Sequence, residues 1–480
     1  VNVAAFDRLA EASSAFLTSL RHVLREAAFD DVFLGSCESI APNQPDVLRV
    51  DLVRWHLRRR EGAAAVLARL FAYGDAVEGD RAERVFGASL LRESIELGLV
   101  DLRDGNVRAL FRMVPVEGLH VLSDDLTSDG DPVMGPGRTT QTLLAALPPQ
   151  LTGDLLDVGC GAGTVALVGA ARGARVVAVD ISSRAVAMTQ FNARLNDVAC
   201  DARIGDLTAP ARGERFDWIV SQPPFVASPD AEATTFLHGG RRGDELLLRL
   251  LSEIPPLLGE RGRALVLADL PDVGAPWARR VVQHLGTGGS LGVLVSFGGV
   301  VDADMLAIQL GAFASSSTGR FADRIVAYRA HLADVGVERT LHALIDVRRS
   351  DVAFAAERRW ERFGGVSASE FEVAWRGAEL ASRSEEALGA SRLQLPNGAR
   401  IRVDRDPVSE RVAIRLEAST VRHELSEGAA AVLETIVACN SVSEALLEVL
   451  PQDAPRALVE EAFRLVRSLL VSGALIPSGR

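Results

Sequence analysis

Four places where an apolar run stops abruptly at a polar or glycine-rich step are where this sequence can do chemistry. The first is Leu155-Leu156-Asp157-Val158-Gly159-Cys160-Gly161-Ala162-Gly163-Thr164, a strand-like run leading into a tight turn and an apolar helix. A dinucleotide fingerprint spaces its glycines as G-x-G-x-x-G, so that a pyrophosphate meets the helix N-terminus. Here the spacing is G-x-G-x-G, with the Asp157 carboxylate two residues ahead of the first glycine. An acid at that point repels a pyrophosphate and suits a ligand with an ammonium group. Gly159, Gly161 and Gly163 meanwhile let the backbone approach a nucleoside and an amino-acid tail closely. The next run, Arg175-Val176-Val177-Ala178-Val179, ends in Asp180-Ile181, at about the distance beyond the turn where an acid binds ribose hydroxyls. A third run ends in Ile204-Gly205-Asp206-Leu207. The fourth, Phe216-Asp217-Trp218-Ile219-Val220-Ser221-Gln222-Pro223-Pro224-Phe225, is stopped by two prolines, which force an extended exit and aim carbonyls into whatever lies at the strand's end. Singly, each acid reads as an ordinary surface residue; in series after successive strands they mark one site.

The first of these segments resembles motif I of class I S-adenosylmethionine-dependent methyltransferases. Gln222-Pro223-Pro224-Phe225 resembles the (N/D/S)PP(Y/F) motif of the release-factor glutamine and ribosomal-RNA guanine N-methyltransferase group. The resemblance covers roughly Met134 to Arg349, under half of the chain. It implies S-adenosylmethionine as cofactor, with Asp206 accepting from the adenine amino group and Leu207 covering a ring face. It also implies that the Gln222 side chain and the Pro223 carbonyl accept hydrogen bonds from the target nitrogen and point its lone pair at the sulfonium methyl. Glutamine departs from the family's usual Asn, Asp or Ser: the amide is kept and its reach is one methylene longer. Phe225 is placed to shelter the cationic centre or to stack on a planar acceptor, with plain core packing the alternative. Val133-Met134-Gly135-Pro136-Gly137-Arg138-Thr139-Thr140 resembles the segment that lies over the methionine end of the cofactor, although Thr139 and Thr140 also read as helix-capping residues. The loop Phe236 to Glu245 offers His238 as a general base or as a polar surface residue.

Elements must carry these residues to one place. From about Val114 strands alternate with helices, which predicts an α/β, Rossmann-like, doubly wound, mostly parallel sheet. The expected strands are Leu155–Val158, Val176–Val179, Ala202–Ile204, Trp218–Val220 and Ala264–Ala268; a helix near Phe321–Val335 and a strand over Leu341–Val347 complete the sheet. The expected division is an N-terminal α-rich, winged-helix-like domain over 1–113, a methyltransferase domain over 114–350, a helical linker over 351–390 and a C-terminal winged-helix-like α+β domain over 391–480. In the first of these, helices near 62–72 and 79–98 precede a hairpin turning at Asp104-Gly105. From Ser350 to about Ser384 the sequence reads as charged helix, with Ser382 to Glu386 as a linker. Beyond it, strands over Leu393–Val403, with an Asn397-Gly398 turn signal, and over Val412–Leu416 precede helices near 426–440, 442–450 and 455–473. In outline this last unit looks like the winged-helix peptide-binding modules of ribosomal-peptide modification pathways; a helical cap or a dimerisation unit fits as well.

Composition removes several other chemistries. None of the 480 residues is lysine, so a Schiff-base lysine and a Walker A phosphate loop are excluded. The four cysteines, Cys37, Cys160, Cys200 and Cys439, form no CxxC pair, and the eight histidines show no paired ligand spacing, so no metal is expected. A net charge of −12 argues against nucleic acid or an anionic membrane as the main partner. The one strong basic cluster, Arg54 to Arg60, reads as a solvated helix face. No apolar stretch is long enough to span a membrane and the first residues lack a signal-peptide pattern, so a cytoplasmic location is expected. The leading expectation is methylation of a nitrogen, less readily an oxygen, on a small-molecule or peptide acceptor, as in natural-product biosynthesis. A second keeps the transfer but makes the acceptor RNA or a translation-protein glutamine. A third, a winged-helix regulator that senses the cofactor, leaves the acceptor-side motif without a purpose.

Overall fold

The computed structural model describes all residues except 1, 41–45, 127–129, 229–236, 273, 287–289, 315–320, 406–411, 418–421 and 479–480. At its centre are eight strands: β1 (Asp154–Val158), β2 (Arg175–Asp180), β3 (Asp201–Ile204), β4 (Phe216–Ser221), β5 (Leu258–Pro271), β6 (Leu291–Asp302), β7 (Arg339–Arg349) and β8 (Phe354–Arg359). They lie in the order β8-β6-β7-β5-β4-β1-β2-β3. From β5 through β3 every pairing is parallel, β7 runs antiparallel to both β5 and β6, and β8 lies parallel to β6. The chain reverses its winding between β1 and β4, the switch point where α/β sheets open a crevice beyond their strand ends.

Burial explains why these runs are strands. Leu155, Leu156 and Val158 in β1, Ile219 and Val220 in β4, and the run from Ala264 to Ala268 in β5 are all buried, as a sheet covered by helices on both faces requires. The covering helices are α1 (Arg138–Ala146), α2 (Thr164–Ala171), α3 (Ser183–Asn196), α4 (Glu245–Glu253), α5 (Trp277–Leu285), α6 (Ala303–Ala314), α7 (Phe321–Asp334) and α8 (Ala368–Ala381).

Helix α3 also fixes the segment that leads into the crevice. In the hairpin of Arg112–Val116 and Leu119–Ser123, the outer edge of the second strand has no strand neighbour among the described residues. Two buried asparagines replace the missing neighbour. Leu122 N–H donates to Asn192 Oδ1 at 2.9 Å and His120 N–H to Asn196 Oδ1 at 2.8 Å; each amide returns a bond to the same residue's carbonyl. The edge groups are thereby satisfied without water. Arg194 holds the carbonyl of Ala10, and Arg21 that of Leu195, so the N-terminal helices sit against the same element.

In the N-terminal part, a helical run over 63–72 precedes the short strand Val77–Glu78, the helices Gly79–Phe86 and Ala88–Glu96, and the hairpin Val100–Arg103 with Asn106–Ala109. Its turn residues Asp104 and Gly105 both adopt positive φ, the geometry of a two-residue hairpin turn.

Two expectations need correction. The stretch from Ser350, read as charged helix, contains β8 before it reaches α8. Phe354 and Arg358 alternate inward and are buried, and pairing with β6 overrides the local preference of an Ala-Glu-Arg run for helix. The adjoining Ser382–Glu386, expected as a linker, caps and begins the short helix Glu385–Gly389, with Ser384 accepting from Ala387 N–H. The strand expected over Leu393–Val403 is divided. Leu393–Gln394 pairs with Ile476–Pro477, while Arg400–Arg405 pairs with Val412–Glu417, so the Asn397-Gly398 turn separates two sheets rather than closing a hairpin. Among the described residues no helix is long and apolar enough to cross a membrane.

Candidate functional site

The four polar strand ends converge. Beyond the tips of β1, β2, β3 and β4 lies a cavity of about 560 Å³, within the range of small-molecule and cofactor sites. Its walls include Asp157, Gly159, Gly161, Asp180, Ile181, Asp206, Leu207, Gln222, Pro223, Phe225, Thr139, Thr140 and His238. Phe236 lies outside the described residues. Ser221 Oγ donates to the Val158 carbonyl at 2.8 Å, which ties the tips of β4 and β1 at the opening.

Gly163, expected with the other two glycines, is not in the wall. It has φ +83°, and an added Cβ would sit 2.8 Å from Thr189 of α3. Its role is close packing of the turn on a neighbouring helix. Gly163→Ala combines a left-handed backbone with that clash, so a loss of about 2 kcal/mol or more is expected. Denaturant unfolding checks it, and Thr189→Ala in the same chain should recover part of the loss.

The two deepest acids have no cationic partner among the described residues. Asp157 accepts from Ala166 N–H at 3.0 Å, which caps the first turn of α2. Burial pushes its carboxyl up to about 7, with a smaller rise from the nearby Asp180 charge. Asp180 is likewise raised by burial, against the backbone N–H groups of Ser182 and Gly161 that donate to it, each at 2.9 Å. Asp206 differs: it is half exposed and paired with Arg249. Leu207 beside it has φ +47°, a conformation that non-glycine residues adopt at a cost of order 1 kcal/mol or more and that recurs at ligand sites.

The amide of Gln222 is held from the N-terminus of α1. Its Nε2 donates to Thr139 Oγ1 at 2.7 Å, and Thr140 Oγ1 lies 3.5 Å from its Oε1. Thr140 also accepts from Gly137 N–H, so it caps α1 while lining the cavity. On the other side, Val226 N–H donates to the Leu237 carbonyl and Gly239 N–H to the Val226 carbonyl, which brings His238 to the wall. Gly239 rests directly on the backbone: a Cβ there would come within 2.7 Å of the Pro224 carbonyl. Phe225 packs against the core on both sides of this loop while lining the cavity.

Sequence reasoning did not single out Asp124. It sits at the end of the hairpin, bonds Val133 N–H at 2.9 Å and pairs with Arg184 at 2.5 Å, which draws the segment over Pro132 to Gly135 across the cavity. The Met134 carbonyl then accepts from Ala162 N–H. Nothing in the spacing around Asp124 signals a partner sixty residues away on α3.

Residues 136–240 match the family model described as the methyltransferase small domain. A protein of Methanocaldococcus jannaschii, provisionally named a protein N5-glutamine methyltransferase, is 33% identical over 141 residues, which cover 28% of this chain and 71% of that one. The chain belongs to the methyltransferase small-domain family. It is an S-adenosylmethionine-dependent methyltransferase, and S-adenosylmethionine is its methyl donor. Release factor glutamine methyltransferase of Koribacter versatilis is 33% identical over 25% of this chain and 50% of its own length. Ribosomal RNA small subunit methyltransferase C of Citrobacter koseri is 37% identical over 22% of this chain and 31% of its own. The chain thus spans half or less of these last two relatives. Among solved structures, the 16S rRNA N2 methyltransferase of T. thermophilus in complex with AdoMet and guanosine is 21% identical. The alignment covers 45% of this chain and 60% of that one, with a TM-score of 0.26.

The residues present fit this cofactor. Asp157, buried, and Asp180, partly buried, have no cationic partner among the described residues and offer acceptors for an ammonium group and for ribose hydroxyls. At Gly159 no atom lies within 4 Å of where a Cβ would be, which leaves the wall open to close approach.

Proposed function

We propose that this enzyme methylates a nitrogen of a peptide or small-molecule acceptor, and that the nitrogen belongs to a planar amide-like group. The observation that carries this reading is the Gln222 amide, fixed by Thr139 at the tip of β4 and facing the cavity. A pre-oriented amide and the Pro223 carbonyl accept from the hydrogens on the target nitrogen, which leaves its lone pair directed at the donor. When bound, the cofactor supplies an activated sulfonium methyl. The chain's work is then to position the acceptor and exclude water. Asp157 binds the ammonium end through the solvent-poor turn, Asp180 with Ile181 holds the ribose, and Asp206 with Leu207 holds the adenine. The family's M. jannaschii and K. versatilis members are named for glutamine methylation, which agrees with an amide acceptor. His238 Nδ1 is buried without a partner among the described residues, which supports a proton-accepting contact with the acceptor. The helix, strand, helix-pair and hairpin order of the N-terminal part supports the winged-helix reading and a role in acceptor binding.

A second reading, a guanine nitrogen in RNA, is favoured by the C. koseri relative; the acidity of the chain weighs against it. Incubation with labelled cofactor and candidate acceptors, followed by mass spectrometry, tests both. Label on a peptide amide supports the first, and label appearing solely on RNA overturns it.

The Asp157 carboxyl gives a pH signature. An acid whose folded pKa is raised binds its proton more tightly in the native state than in the unfolded chain. Its contribution to the stability of the ligand-free protein therefore falls as pH rises from the ordinary carboxylate range to about 7. An ammonium ligand favours the charged form, so cofactor binding releases that proton below about pH 7. Affinity should rise with pH up to that point by up to about tenfold per unit and then level off. Calorimetry in buffers of differing ionisation enthalpy measures the released proton. Asp157→Asn should flatten the profile, and an unchanged slope in that variant would remove the assignment.

A further inference from the structure

Away from the cavity wall, a histidine–carboxylate dyad stands at the same end of the sheet. Asp269 is two residues from the end of β5 and His342 is near the start of β7; the register pairs them directly. Because β5 runs parallel to β4 and β7 antiparallel to β5, both residues sit at the strand ends that open the crevice. Ser221 pairs with Val266, so Asp269 lies three residues further out than the strand end that presents Gln222. That is about 10 Å along the sheet, at roughly 3.3 Å per residue.

The geometry of the pair is specific. His342 Nδ1 donates to Asp269 Oδ1 at 2.6 Å. The imidazole edge is held against Phe363, with ring centroids 5.6 Å apart and planes at 84°. Phe363 is itself packed on Phe371 of α8. A carboxylate on Nδ1–H fixes the neutral ring in the tautomer whose Nε2 carries a lone pair. No partner for Nε2 occurs among the described residues, and the side chains of His342 and Asp269 are 29% and 26% exposed. A hydrogen-bonded pair at that exposure adds little stability, whereas an oriented acceptor nitrogen at the open end of the sheet can recognise a donor.

We infer that His342, positioned by Asp269, is a recognition contact for the methyl acceptor: its Nε2 accepts a hydrogen bond from a backbone N–H of a polypeptide whose target amide lies at Gln222. The inference rests on the peptide-amide reading of the cavity. It adds that the acceptor is an extended chain covering three or more residues, since a single side chain does not reach both points. The contact is made by bound acceptor alone, so cofactor affinity is independent of it.

The test uses the full chain labelled with 15N-histidine and saturated with S-adenosylhomocysteine. The probe is the blocked pentapeptide acetyl-Ala-Ala-Gln-Ala-Ala-amide, and guanosine is the comparison. His342→Gln and His238→Gln assign the two resonances. With the peptide, the His342 Nε2 signal should shift together with that of His238, and Asp269→Asn should abolish the His342 response while leaving that of His238 and the cofactor affinity unchanged. A His238 response with a silent His342 overturns this inference and leaves the peptide reading standing. Silence of both residues with the peptide, together with a response to guanosine, overturns both. Silence with either probe overturns the contact. Loss of thermal stability in Asp269→Asn with an unaltered His342 response would show the dyad to be structural, which also overturns it.

Discussion

Asp180→Ala should raise the dissociation constant for S-adenosylmethionine by at least about hundredfold, in a protein that remains folded. Hydrogen bonds to a charged carboxylate contribute about 1.5–3 kcal/mol each, and in the proposed reading two ribose hydroxyls take this partly buried side chain as their acceptor. The carboxylate also receives the N–H groups of Gly161 and Ser182, so its removal loosens the glycine turn proposed to hold the cofactor. The two effects can be separated. Asp180→Asn retains an oxygen to accept from one of those N–H groups while losing the charge, and should fall between wild type and alanine. Titration calorimetry gives the affinities and near-ultraviolet circular dichroism checks the fold. Unchanged affinity in the alanine variant would mean that the ribose is held elsewhere.

How much of this was legible beforehand depended on whether chemistry and local pattern agreed. The strands β1, β2 and β4 are short, each carries a run of apolar residues, and each stops at or just before a glycine, aspartate or proline, so periodicity and stop signal coincide. The cavity wall followed from those stops, because parallel strands in a doubly wound sheet bring their ends together. β6 was not legible. Its run Leu291-Gly292-Val293-Leu294-Val295 contains a glycine that reads as a breaker, yet at Gly292 a Cβ would meet the rings of Phe354 and Trp375 at 2.5 and 2.8 Å. That glycine makes room for aromatic packing from β8 and α8, elements whose positions no local pattern announces. β8 was hidden by its charges, since Arg358 is buried with its guanidinium over the Trp360 ring at 3.8 Å. Asp124 and the Asp269–His342 dyad join residues about sixty and seventy apart in sequence, and only the tertiary fold brings them together.

The substitution at the other end of the cavity separates binding from chemistry. Gln222→Ala should leave cofactor affinity within about twofold of wild type and lower kcat by about 10²- to 10³-fold, the scale seen when one pre-oriented polar group at a reacting centre is removed. The expectation follows from where the amide is tied. Thr139 and Thr140 hold it from α1, whereas the acids at the ends of β1, β2 and β3, proposed to serve the cofactor, share no hydrogen bond with it among the described residues. Thr139→Val should reproduce part of the loss, because it releases Nε2 without removing the amide; a pure packing role for Gln222 would make Thr139→Val silent. Gln222→Asn shortens the reach by one methylene and breaks the fit to Thr139, so it too should be impaired, even though Asn is, with Asp and Ser, one of the residues of the (N/D/S)PP(Y/F) motif that this segment resembles. If Gln222→Asn instead turned over faster than wild type, the longer side chain would be a brake on the reaction rather than its positioning group, and the acceptor geometry proposed for this cavity would have to be abandoned.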